Sequence, residues 1–134
     1  MVMSRARSRS YSEMAVHTAS PAQRLVLLLD QLEANLDRAG LSLDSGDLAT
    51  SHESLMSAQA AVALLRDSLS EDVWEGAKDL KVLYRYVLDK LVWANMGKDR
   101  RHLHDAESVI RPLIAAWRQA AAIVTAEMSG VSGG

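Results

Sequence analysis

The sequence has no cysteine and no phenylalanine, only two prolines, and aromatic residues at 4% of its 134 positions. Without cysteine there is no disulfide, no thiolate metal site and no cysteine nucleophile, a composition that suits a reducing compartment. With few aromatics, the 49% hydrophobic content falls mainly to Leu and Ala, which favour helix over strand. Charge of one sign is also lacking: the formal net charge is −2, which excludes a polyanion binder acting through the whole chain. No apolar run approaches the ~20 residues that cross a bilayer, so no membrane insertion is expected. The arginines near the start have no apolar stretch behind them, so they do not read as a secretory signal.

What is present is helical periodicity in one domain, large enough to bury roughly two-thirds of the surface its unfolded chain would expose. Residues 1–17 open with the Ser/Arg-rich, aperiodic "MVMSRARSRSYS" and read as a flexible segment; 18–127 hold four periodic segments; 128–134 read as a flexible tail. Arg5, Arg7 and Arg9 are too sparse a footprint for nucleic acid, so that segment reads as solvated.

The first helix starts with Ser20 as N-cap, Pro21 at the first helical position and Gln23 at capping-box spacing. At ~100° per residue, Leu25, Leu28, Leu29, Leu32, Leu36, Ala39 and Leu43 share its inner face. Gly46 closes it and Asp47 caps the next helix, which runs to about Leu69 with Leu55, Ala58, Val62, Leu65 and Leu69 inward. Ser70 caps a third helix from about Val73 to Met96, ended by Gly97, with Val73, Ala77, Leu80, Tyr84, Val87, Leu88 and Leu91 inward. The fourth runs from Asp99 to about Ala126 with Leu103, Ala106, Ile110, Leu113, Ile114, Trp117, Ala121 and Val124 inward, and Pro112 predicts a kink within it. Four long amphipathic helices joined by short links predict an all-α, antiparallel up-down four-helix bundle with a mobile N-terminal segment.

Such a bundle invites a di-iron carboxylate site, but that chemistry needs Glu-x-x-His pairs on two helices, and none occurs. Asp99 and His102 have a comparable spacing once, without a mate; His102 and His104 point about 200° apart on a helix; His17 and His52 stand alone. There is no glycine-rich phosphate loop and no G-x-S-x-G nucleophile motif. No catalysis, cofactor or metal is expected.

The apolar pattern exceeds what a core requires. Leu25 to Leu29 are apolar without a break, and Leu27, Ala34 and Leu41 form a second stripe on the first helix. Met56, Ala60, Ala63 and Leu64 flank the second, and Val82, Tyr86 and Trp93 lie well away from the core line of the third. Stripes on three helices predict a partner surface. Scattered exposed apolar residues, a homodimer interface and a groove for an amphipathic helix of another chain all remain open readings.

From Tyr11 to Trp117 the chain resembles the FliS family of flagellar export chaperones. "YSEMAVHTASP" is similar to the family's tyrosine followed by V-x-T-A-S-P; Gly46-Asp47 opens a matching second helix that ends in Leu-x-x-Ser-Leu; Leu80, Leu83, Tyr84, Tyr86, Leu91, Ala94 and Asn95 match its L-x-x-L-Y-x-Y stretch; Ala116-Trp117 match the last helix. Where the family commonly has aromatic-Asp-Gly on helix one, this chain reads Leu29-Asp30-Gln31. The resemblance implies a cytoplasmic chaperone that binds the disordered C-terminal segment of flagellin, prevents its premature polymerisation and delivers it to the flagellar type III export gate. It also implies that the N-terminal tyrosine segment covers the apolar groove when the client is absent. The expected client-binding residues are Tyr11, Met14, Val16, Met56, Ala60, Leu64, Val82, Tyr86 and Trp93, with Leu55, Tyr84 and Leu88 assigned to the core. The alternative is a self-associating helical bundle, a homodimer with a structural or adaptor role.

Overall fold

A computed structural model describes residues 20–69 and 75–133, with the side chains of 131–133 left aside. Four helices run in chain order: α1 (Pro21–Ser45), α2 (Leu48–Asp67), α3 (Gly76–Gly97) and α4 (Arg100–Gly133). Packing joins α1 to α2, α2 to α3, α3 to α4 and α4 back to α1, which closes an antiparallel bundle.

Local chemistry sets the boundaries. Ser20 accepts from the Gln23 amide at 3.2 Å while the Gln23 side chain accepts from the Ser20 amide at 2.8 Å. This reciprocal box satisfies two donors that the first turn would otherwise leave unpaired. At the other end Gly46 turns left-handed at φ 77, and the Asp47 amide reaches back to the Ser42 carbonyl at 2.9 Å. Asp47 then accepts from the Thr50 amide at 3.1 Å and starts α2. Asp99 does the same for α4, accepting from the Arg101 amide at 2.9 Å.

The junction between α3 and α4 differs from the sequence expectation. Gly97 is the last helical residue, and the left-handed position falls on Lys98, at φ 49 and ψ 44. The expected Ser70 cap and the Val73 start of the third helix lie outside the described residues, as does the whole segment 1–17. Leu69 packs against the core just beyond the end of α2.

The core is built from Leu29, Leu32, Leu36 and Ala39 of α1, Leu55, Ala58, Val62 and Leu65 of α2, Tyr84, Val87 and Leu91 of α3, and Leu103, Ala106, Ile110 and Ile114 of α4. Leu25, Leu28, Leu43, Leu80, Leu88, Leu113 and Trp117 pack partly against it. Ser51 and Ser54 are also buried, and small side chains on this face of α2 let its neighbours approach closely. Gly40 serves the opposite seam. It is buried, and a Cβ there would meet the Arg100 guanidinium at 3.1 Å.

The C-terminal half of α4 corrects one inward assignment. Val124 is exposed, as are all of residues 122–130. At 34 residues α4 outruns α1 at 25 and α3 at 22, so its last turns extend beyond the helices that would cover them. It continues to Gly133, past the expected end near Ala126, because "QAAAIVTAEM" carries no breaker. Pro112 lies inside the continuous helix.

Candidate functional site

The seam between α1 and α4 is laced with ion pairs. Arg100 reaches Asp44 at 3.4 Å and Glu107 at 3.2 Å. Arg111 bridges Glu107 at 2.9 Å and Asp37 at 2.8 Å, and Arg118 reaches Asp30 and Glu33, both at 2.7 Å. Asp30 thus keeps a structural role in the stretch where the family pattern is only partly present, while Leu29 beside it is fully buried.

The other sides carry the apolar surplus. Of the expected client-binding residues, Met56, Leu64, Val82, Tyr86 and Trp93 are large and exposed, from 40% for Tyr86 to 67% for Val82, and Ala60 is exposed as well. Tyr11, Met14 and Val16 lie outside the described residues. The run Leu25 to Leu28 is half-buried, and on the second α1 stripe only Ala34 and Leu41 stand exposed, Leu27 being half-covered.

On α3 the helical repeat puts Val82, Tyr86 and Trp93 within about 40° of one another, opposite Tyr84 and Leu91. The Lys90 ammonium sits 5.6 Å from the Tyr86 ring centre and 5.4 Å from that of Trp93, and pairs with Asp105 of α4 at 3.0 Å. The Trp93 ring meets His102 of α4 edge-on at 5.7 Å between centres. Cation–π contacts of this kind are worth about 0.5–1 kcal/mol each at exposed sites. They favour one orientation of two half-exposed aromatic rings, which lowers the entropy that a partner must overcome to use them.

Met56, Ala60 and Leu64 belong to the α2 side of the same surface. His52 and Asn95 fix the register, with 3.0 Å between Asn95 Nδ2 and His52 Nδ1. In an antiparallel pair, one turn onward along α2 meets one turn back along α3, so Met56 lies level with Val92 and Ala60 level with Leu88. The expected site is therefore two strips, one beside the α3 crest and one along it. One is the α2 flank, and the other is the aromatic shoulder that leans on α4. Val92, Met96 and Leu83 are exposed apolar residues of α3 that the sequence reading left out, Met96 at 79%. Their signal was present in the repeat, since Met96 follows Val92 by one turn and Trp93 by three residues.

Tyr84, two positions from Tyr86, has the opposite fate. It is fully buried, and its hydroxyl accepts a hydrogen bond from Trp117 Nε1 at 2.6 Å. Burial pushes its pKa above the ordinary tyrosine value, against the opposing effect of the Trp117 bond. Leu55 is likewise buried and Leu88 partly so, as expected of core residues. Among the described residues no helix is long and apolar enough to cross a membrane, and no three His, Asp or Glu side chains are grouped to hold a metal ion.

The model of the family described as flagellar protein FliS matches residues 3–124. The flagellar secretion chaperone FliS of Salmonella typhimurium is 31% identical over 112 residues, covering 80% of this chain and 81% of that protein. Its namesake in Bacillus subtilis is 26% identical over 111 residues, 83% of each. That of Vibrio cholerae is 28% identical over 116 residues, 83% of this chain and 85% of the other. With a family match over nearly its whole length and a four-helix bundle that exposes large apolar residues along α2 and α3, the chain belongs to the FliS family of flagellar secretion chaperones.

Proposed function

We propose that this protein binds the disordered C-terminal segment of flagellin in the cytoplasm, keeps it from polymerising early, and hands it to the flagellar export gate. The observation that carries the reading is the exposed apolar surface along α2 and α3, with Tyr86 and Trp93 beside Lys90. A client that folds on binding spends much of its interaction energy on ordering. A long apolar track suits it better than a compact pocket. The same track left bare is an aggregation liability, and a segment bearing Tyr11, Met14 and Val16 is a reversible cover of suitable chemistry.

Titration calorimetry with a peptide covering the C-terminal segment of the cognate flagellin tests the proposal. Tight one-to-one binding with a large negative heat-capacity change is expected, together with strong weakening by Trp93→Asp. Circular dichroism should show that variant still folded, because the ring is half exposed. Absence of binding in both proteins would refute the chaperone reading. A mass that doubles with concentration and is reduced by Trp93→Asp would instead assign the track to a second copy of the chain.

A further inference from the structure

Next to the apolar track lies a groove of different character. It occupies about 640 Å³ between the end of α2 and the start of α3. Its rim is basic: Arg66 from α2 faces Lys78, Lys81 and Arg85 from α3. The three α3 residues follow one another at spacings of three and four, so they form one stripe along the helix. Between them Val82 stands 67% exposed, and Leu88, half-buried, forms part of the floor. One carboxylate, Asp89, closes the end nearer the aromatic shoulder. Among the described residues, four cations and one anion line this groove, Arg66 being also paired with Asp67 at 2.9 Å, in a chain whose net charge is −2. Charge is therefore concentrated here well beyond the average of the surface.

We infer that this groove docks an acidic polypeptide segment, with carboxylates meeting Arg66, Lys78, Lys81 and Arg85 while one apolar side chain packs on Val82 and Leu88. An apolar floor and the carboxylate of Asp89 favour a peptide over a nucleic-acid backbone, whose phosphates are evenly charged and offer no apolar anchor. Lys78, Lys81 and Arg85 repeat at helical spacing, which matches carboxylates presented one turn apart on a partner helix. Val82 belongs both to this groove and to the proposed client track, and the inference concerns the charge chemistry of the groove, which the peptide comparison below reads separately from flagellin binding.

The test is fluorescence anisotropy on the full-length protein with a labelled amphipathic probe peptide carrying glutamates one turn either side of a leucine. A copy with glutamine in place of each glutamate is the comparison. The acidic probe should bind about tenfold or more tightly than the glutamine copy, an advantage that shrinks as salt is raised. The triple variant Lys78→Glu/Lys81→Glu/Arg85→Glu should abolish that advantage, and Arg85→Glu alone should reduce it. Arg101→Glu, the same charge change at the far end of the bundle on a side chain 91% exposed, should leave it in place. Equal binding of the two peptides, or an equal loss in Arg101→Glu, would overturn the proposal. So would a short DNA duplex that displaces the acidic probe at lower concentration than unlabelled peptide does.

Discussion

Tyr84 and Trp117 form a hydrogen bond whose two ends are unequally buried, and that inequality makes a quantitative prediction. The hydroxyl of Tyr84 is inside the bundle with no exposed surface on its residue, whereas Trp117 is only half-buried. Tyr84→Phe removes the acceptor but leaves the indole N–H on a side chain that is only half-buried, so the loss should be about 1 kcal/mol. Trp117→Phe strands the hydroxyl in the core instead. The desolvation penalty of an unsatisfied buried group is about 1–3 kcal/mol, and the smaller ring adds a packing loss, for a total of about 2–4 kcal/mol. The double variant leaves no polar group stranded and should cost less than the sum of the two by about 1 kcal/mol or more. Urea unfolding followed by far-ultraviolet circular dichroism measures all three. Equal costs for the two single variants, or strict additivity, would refute the account. Alkaline titration gives an independent check. Burial raises the Tyr84 pKa above its usual 10.0, against the hydrogen bond donated by Trp117. The unfolded chain therefore releases that proton first. The contribution is complete below pH ~10 and is lost as pH climbs through the folded-state value. Stability above pH ~10 should fall more steeply in the wild type than in Tyr84→Phe.

Three further substitutions probe local geometry. Asp47→Ala removes the acceptor for the Thr50 amide and should lower stability by about 1 kcal/mol in urea unfolding. The hydrogen bonds from Thr50 hold the Asp47 carboxyl below the usual carboxylate range, so the cap's contribution is present above the unfolded-state pKa and lost as pH falls through the folded value. Gly40→Ala should raise stability by about 0.5 kcal/mol, since an interior helical glycine is costly and the nearest obstacle, at 3.1 Å, is the flexible end of Arg100; a drop in the unfolding midpoint would show that Arg100 cannot yield. Lys98→Gly should stabilise by up to about 1 kcal/mol by relieving the left-handed backbone at φ 49, less whatever the Lys98–Asn95 hydrogen bond contributes, and thermal unfolding reads the sign.

Residues whose fate depends on near neighbours were legible in the sequence. The capping box at Ser20 and Gln23, the left-handed Gly46 and the Asp47 cap are contacts within a few residues, so spacing alone located them. The core stripes followed equally directly, because a helix repeats its faces every 3.6 residues whatever it packs against. That repeat also separated Tyr84 from Tyr86: two positions are about 200° apart, which sends one ring into the core and the other to the surface. The exposed candidates on α2 and α3 were found the same way.

What depends on the relative placement of helices was not legible. Val124 keeps the periodicity of a core residue, yet it is exposed, close to where the antiparallel α1 and α3 begin. Only the packing of α4 across α1 showed that the Arg100 guanidinium lies against Gly40. The partner of Tyr84 lies 33 residues away, and the basic groove needs Arg66 from α2 brought opposite Lys78, Lys81 and Arg85 of α3. Sequence by itself determined four amphipathic helices and a surplus of apolar surface, because both follow from short-range periodicity. Tertiary structure alone decided where that surplus gathers, which seam is sealed by ion pairs and which groove turns basic, because each of these requires side chains from different helices to meet in space.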